Sequence, residues 1–205
     1  MTHPSHSHRI RNLGFVSLLM AAAGVAWAQP PAPLTVTYTK PGIDLASYKQ
    51  FRILPLNVSE TRLIPPPWVE KPNAREWTLA KDSKDFLVTT FAKAVSEGIE
   101  SGGKYKIVKE PTPGTLQLEV RLISLTPYAS REEKDVQTLG SGTLTFEAYV
   151  RDAPTAELLV AYKGTQEVGK EYQENTRFNK QSDVTQHFTT WGKNISQRLA
   201  TAQGR

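Results

Sequence analysis

The sequence contains no cysteine, so it offers no disulfide, no thiolate ligand and no thiol for lipid attachment. It has only two methionines and four histidines, and most of these are crowded into its start: Met1, Met20, His3, His6 and His8 all precede residue 29. From Gln29 onward one histidine remains, His187. Zinc and copper sites draw on cysteine, methionine and histidine, so the usual kinds cannot be assembled within one protomer from that inventory. Charge of one sign is equally scarce in blocks. No stretch gathers the five or six like charges of a nucleic-acid-binding tail, and the excess of Lys and Arg over Asp and Glu is a solubility property.

Catalytic motifs are also missing. No Gly-x-Ser-x-Gly turn is present, and Gly140-Ser141-Gly142 has the wrong spacing for one. A Ser-His-Asp arrangement would have to use His187, which sits at the edge of a helical apolar face, four residues before Trp191, and reads as a boundary histidine. Gly98 and Gly102-Gly103 end a predicted helix instead of opening one, so they supply no donor-rich helix start for a phosphate. The remaining enzymatic route is a carboxylate pair. Glu147 lies on a predicted strand, Asp152 just beyond it and Glu157 on the returning strand, so the three could converge at one turn. Acids at a hairpin more often pair with neighbours such as Arg151 and Lys163. The expectation is that the chain is not an enzyme and uses no cofactor.

What is present begins with an address. Arg9 and Arg11, an apolar run from Leu13 to Ala26 and the small-x-small end Ala26-Trp27-Ala28 form the three regions of an export signal. The apolar run is shorter than the roughly 20 residues of a bilayer-spanning helix, and no later stretch replaces it. Residues 1–28 are therefore expected to be cleaved after Ala28, leaving a periplasmic or secreted protein with no transmembrane segment. The histidine tract goes with the leader and is no metal site.

Residues 29–43 read as an extended, loosely held lead-in, with Leu34, Val36 and Tyr38 on one side. Residues 44–200 read as one domain, and 201–205 as a frayed tail. Tyr48 to Val58 carries a short buried strand through Phe51, Ile53, Leu54 and Leu56. The loop 59–77 follows, with Pro65-Pro66-Pro67, Trp68, Pro72 and Trp77, where fixed φ angles exclude helix and central strand. A loop this long with two tryptophans is a candidate contact surface, formed by Trp68, Trp77, Pro66 and Pro67, for another envelope protein or a glycan. The alternative is that the tryptophans fold back on the sheet or helix, and a second functional reading is a periplasmic carrier of a small apolar or glycan ligand held between helices and sheet.

From Leu79 to Ile99, Phe86, Leu87, Phe91, Ala94, Val95 and Ile99 recur at helical spacing. Tyr105 to Val108 is a short strand. Leu116, Leu118, Val120 and Leu122 alternate with polar residues, as do Leu144, Phe146, Ala148 and Val150, with a charged loop from Ser130 to Gly142 between them. After a turn at Asp152 to Thr155, Glu157 to Val168 returns as a third strand of a meander. Ser182 is a candidate cap for a last helix whose apolar residues are Val184, Phe188, Trp191, Ile195 and Leu199. The order is strand, helix, strand, meander, helix: an α+β fold with a mostly antiparallel sheet of about five strands and two helices on one face.

Three segments carry a resemblance. Asp44-Leu45-Ala46-Ser47-Tyr48-Lys49, then Thr115-Leu116-Gln117-Leu118 with Leu125-Thr126-Pro127, and above all Glu147-Ala148-Tyr149-Val150-Arg151-Asp152 running on to Leu159 resemble a proteobacterial family of envelope lipoproteins, the domain of unknown function thirty-three-thirteen. Trp191 with Leu199 is similar to its closing helix. The sequence departs from the family pattern at Ala156, where glycine is expected in the turn, and in lacking the cysteine used for lipid attachment. The resemblance implies an envelope protein and carries over no catalytic residue.

Overall fold

The computed structural model describes residues 34–70, 72, 77–130, 132–133 and 135–204. The expected leader, residues 1–28, lies outside them. In chain order the elements are β1 (Thr35–Thr39), β2 (Gln50–Ile53), β3 (Arg62–Leu63), α1 (Lys81–Glu100), β4 (Lys106–Ile107), β5 (Thr115–Pro127), β6 (Gln137–Leu139), β7 (Gly142–Asp152), β8 (Leu158–Val168), β9 (Tyr172–Glu174) and α2 (Arg177–Gln203).

The fold is α+β with two helices, and the sheet is larger and more mixed than the sequence suggests. It has seven strands in the order β1-β8-β7-β5-β2-β4, with β3 also on β5, and a separate β6-β9 ribbon. β1, β8, β7 and β5 are antiparallel neighbours, whereas β2 is parallel to β4 and β5, and β3 is parallel to β5. The reason is connectivity. A helix between two strands returns the chain to the end where it started, so β4 after α1 runs the same way as β2. Periodicity reveals a strand but not the direction of its neighbour.

β5 organises the sheet. Along one edge it pairs with β7 over almost its whole length; along the other it receives β2 at Thr115 to Leu118, a bridge from Asn57 at Arg121, and β3 at Ser124 and Leu125. Leu116, Leu118, Val120 and Leu122 face the helices from β5, and Leu144, Phe146 and Ala148 do so from β7, all buried. The period of two therefore sets the covered face, as the alternation predicts. On the open face Arg121, Arg151 and Lys163 pair with Glu60, Glu119 and Glu147.

The helices run side by side in the same direction: Arg177 meets Asp82 near their starts, the Phe91 and Phe188 rings meet edge to face at 5.3 Å, and Gly98 lies against Gly192. Gly98 is thus an interior contact of α1 and not its terminator. A Cβ on either glycine would lie 2.9 Å from the other's Cα and overlap a backbone carbonyl, Thr189 or Val95. Phe51, Phe91 and Phe188 are at most 1% exposed, and each such burial is worth about 1.5–3 kcal/mol.

Four local expectations are corrected. The lead-in 29–43 holds β1, which pairs with β8 through Thr35–Lys163 to Thr39–Val160 instead of lying loose. Loop 59–77 holds β3, because Arg62 and Leu63 find the free edge of β5 before the prolines begin. α2 starts at Arg177, not after Ser182: Thr176 accepts a bond from the Asn179 N–H at 3.1 Å and caps the helix one and a half turns earlier. The expected frayed tail is helical through Gln203, whose amide donates to the Leu45 and Tyr48 carbonyls at 2.7 and 2.9 Å and accepts from Tyr105 Oη at 3.1 Å.

Candidate functional site

α1 and α2 touch at Gly98 and Gly192, and towards their amino-terminal ends a groove of about 740 Å³ lies between them. α1 supplies Phe86 and Leu87, α2 supplies Val184, and the far end of the sheet supplies Leu63 and Leu125. These arrive by simple spacing. Phe86 and Leu87 open the apolar face of α1, and Leu63 and Leu125 are register partners in the β3–β5 pair. The rim is polar, with Asp82, Glu132, Arg177 and Lys180, and Arg177 Nη2 is 3.4 Å from Asp82 Oδ2.

The residues expected in the proline loop are divided by the structure. Trp77 is half-buried and forms part of the groove wall. Trp68 is 58% exposed and lies off the groove, as does Pro67, while Pro66 is fully buried. Of the four, only Trp77 joins the cavity.

Asn175 also lines the groove. It is 7% exposed, its Nδ2 donates to the carbonyls of Ser130 and Glu133 at 2.7 and 2.6 Å, and its N–H donates to Val136 O at 3.0 Å. Those bonds tie Ser130, Glu133 and Val136 to the start of α2. The position carries a legible signal, since an Asn-Thr pair ahead of a helical run is a helix-start signature that competes with Ser182.

Glu147 does not join Asp152 and Glu157, which meet at the β7–β8 turn, where the Asp152 N–H donates to the Glu157 carbonyl at 2.9 Å and both acids act on Tyr48. Glu147 opposes Arg121 and Asp152 opposes Leu116 in an unbroken register between β5 and β7, and an odd separation of five places the two acids on opposite faces of the sheet. Glu147 takes Tyr149 Oη at 3.0 Å and lies 3.7 Å from Lys163 Nζ; Glu157 takes Lys40 Nζ at 2.6 Å. Asp152 accepts from Thr155 Oγ1 at 2.6 Å, and this bond first of all holds its carboxyl below the usual range. The Tyr48 hydroxyl also donates to Asp152, at 3.1 Å, and is pushed up to about 12, by burial and then by this bond. These are the pairings of a braced turn.

Ser141 and His187 both come near Asp183, but not in triad order. Ser141 Oγ donates to Asp183 Oδ2 at 2.6 Å, as does Gln173 Nε2, so the serine hydroxyl is spent on the carboxylate and not on an imidazole. The His187 ring centroid is 5.2 Å from that of Trp191, and its Nε2 is buried without a partner among the described residues. Burial, and then the charge of Lys170, lower its pKa to about 4, against the pull of Asp183. Among the described residues no group of three or more acids and histidines is gathered that could hold a metal ion, and no helix is long and apolar enough to cross a membrane.

Comparison with known proteins gives one family match. The family model described as a protein of unknown function, DUF3313, matches residues 29–195. No curated protein matches the chain. Among solved structures, protein XCC0632 from Xanthomonas campestris, of the DUF330 family model, is similar at 12% identity and a TM-score of 0.47, covering 81% of this chain and 92% of that one. A PelC dodecamer from Paraburkholderia phytofirmans is similar at 10% identity and a TM-score of 0.39, covering 78% of this chain and 96% of that one.

Proposed function

The chain belongs to the DUF3313 family of proteins of unknown function, and from its own geometry we propose that it is an exported, non-enzymatic envelope protein that binds an apolar ligand in the groove between α1 and α2. The observation that carries the reading is the groove itself. Its volume of about 740 Å³ falls in the range of small-molecule sites, roughly 300–1,000 Å³, and its apolar side chains, Leu63, Phe86, Leu87, Leu125 and Val184 among them, are interleaved with polar ones such as Ser83, Thr176 and Gln181. Export is supported by the sequence of residues 1–28, and the non-enzymatic reading by the separation of Glu147 from Asp152, the pairing of Glu157 with Lys40 and the bonding of Ser141 to Asp183.

The test is extraction of the chain purified from envelope material, followed by mass spectrometry of the organic phase. An apolar compound at near-stoichiometric amount is expected, and its loss in Val184→Arg, which places a charge in the groove wall. Recovery of no compound, together with an unchanged melting temperature across a panel of apolar ligands, would remove the reading.

A second reading rests on Trp68, whose 58% exposure on a proline-braced loop suits an anchor for another envelope protein. A pull-down in which Trp68→Ala retains every specific partner would dispose of it.

A further inference from the structure

We infer that β1 is a pairing edge at which two copies of this chain join, antiparallel and about a two-fold axis, so that their sheets run on into one. The partner is a second copy, and the main-chain ladder is what holds it. The inference is independent of the groove, whose walls come from α1, α2 and the β3–β5 end of the sheet.

Among the described residues the sheet ends on β1 at one side and on β4 at the other. A terminal strand offers main-chain donors and acceptors along its outer side, and proteins guard such edges with short strands, charges or proline. β4 is guarded, since it has two residues and one of them is Lys106. β1 is not. It has five residues, Thr35-Val36-Thr37-Tyr38-Thr39, with neither a charge nor a proline, and all of them are exposed. Val36 and Tyr38 are large apolar side chains left at 52% and 41% exposure. Val36 stands opposite Tyr162 and Tyr38 opposite Ala161, consecutive residues of β8, so the bulge between them turns the two side chains to opposite faces of the sheet. A strand added beside β1 therefore covers an apolar side chain on each face.

Three arguments select a second copy. A second β1 arrives already ordered by its own pairing with β8, so the ordering entropy that a free peptide would lose on binding is absent. The chain just before the strand, from Gln29 to Pro33, contains three prolines, which have no N–H to give to a ladder, so that stretch is not built to double back onto the edge. Electrostatics then permits self-pairing. An edge of one charge sign would meet its own copy with like charges opposed, whereas β1 carries none and the lysines beside it are matched: Lys40 by Glu157 at 2.6 Å, and Lys163, the register partner of Thr35, by Glu147 at 3.7 Å. Antiparallel strands of one sequence relate by a two-fold axis, and full overlap of the two sets Thr37 against its own counterpart.

The experiment is sedimentation equilibrium of the chain as isolated from the producing cell, joined to cysteine crosslinking. The mass of a dimer is expected. Thr37→Lys, which opposes like charges across the axis, should weaken the dimer by about tenfold. Val36→Lys repeats the block should the first variant fold poorly. Directly opposed residues of an antiparallel pair have Cα atoms about 4.5–5.5 Å apart, within the span of a disulfide. Because the chain has no cysteine of its own, Thr37→Cys should give a covalent dimer under mild oxidation, and Trp68→Cys, exposed on the proline loop, should not. A monomer at every concentration, a dimer that both lysine variants retain, or a covalent dimer from Trp68→Cys and not from Thr37→Cys overturns the inference. So does a different envelope protein captured through Thr37→Cys in place of a second copy. The groove reading stands or falls separately from all of these results.

Discussion

Ala156 is the one non-glycine residue with positive φ among the described residues, at 60°. The left-handed region costs an L-residue with a Cβ roughly 1–2 kcal/mol, and glycine nothing comparable. The resemblance to the family already pointed to glycine in this turn, and the backbone supplies the reason. Ala156→Gly should therefore stabilise the protein by about 0.5–1 kcal/mol, after the entropy glycine adds to the unfolded chain, and raise the thermal midpoint by ~1–3 °C. A lower midpoint would show that the turn does not hold this conformation. His187 makes a second prediction at this scale. Its pKa is about 4 when folded and 6.5 in an ordinary setting, so between those values the unfolded chain binds a proton that the folded chain refuses. The contribution of this group to stability is complete above pH 6.5 and is lost as pH falls through 6.5 towards 4, about 3 kcal/mol in all. His187→Phe, which keeps an aromatic ring beside Trp191, should flatten that part of the stability profile in urea titrations. An unaltered acid slope would mean that other groups produce it.

Among the elements, the helix pair makes the clearest demand. Helix propensity alone says that Gly192→Ala stabilises α2 by about 1 kcal/mol. The packing says the opposite, since the new Cβ would overlap the Val95 carbonyl and press on Gly98 Cα, and overpacking of this kind costs typically 1–3 kcal/mol. A net loss of stability is expected, read as a lower urea midpoint with an unchanged slope. A gain would mean that the helices do not approach so closely. The same contact bears on function, because the helices meet at Gly98 and Gly192 and the groove lies at their other ends. The variant should therefore also change ligand affinity without altering any groove residue. Helix existence was plain from the spacing of Phe86, Phe91 and Val95 and of Val184, Phe188 and Trp191. The ends were not: Thr176 caps α2 through a backbone contact, and Gln203 extends it through bonds to Leu45 and Tyr48, more than 150 residues away.

At the scale of the whole molecule, export as proposed predicts a protein that begins at Gln29 and carries no lipid, which intact-mass measurement of material from the producing cell decides; a retained leader would refute the proposal. The sequence by itself determined the α+β class, both helices, the meander of β5, β7 and β8 and the covered face of the sheet, because these follow from periodicities of 3.6 and 2 that any local stretch displays. It also determined how little metal or nucleophile chemistry was available after residue 28. Tertiary structure decided the rest. The parallel pairings of β2, β3 and β4 depend on where α1 returns the chain. The separation of Glu147 from Asp152 depends on a sheet face, and the fates of Trp68 and Trp77 on what each packs against. The groove joins residues from Leu63 to Val184. Local sequence sets which way a side chain faces along its own element, but a cavity exists only between elements.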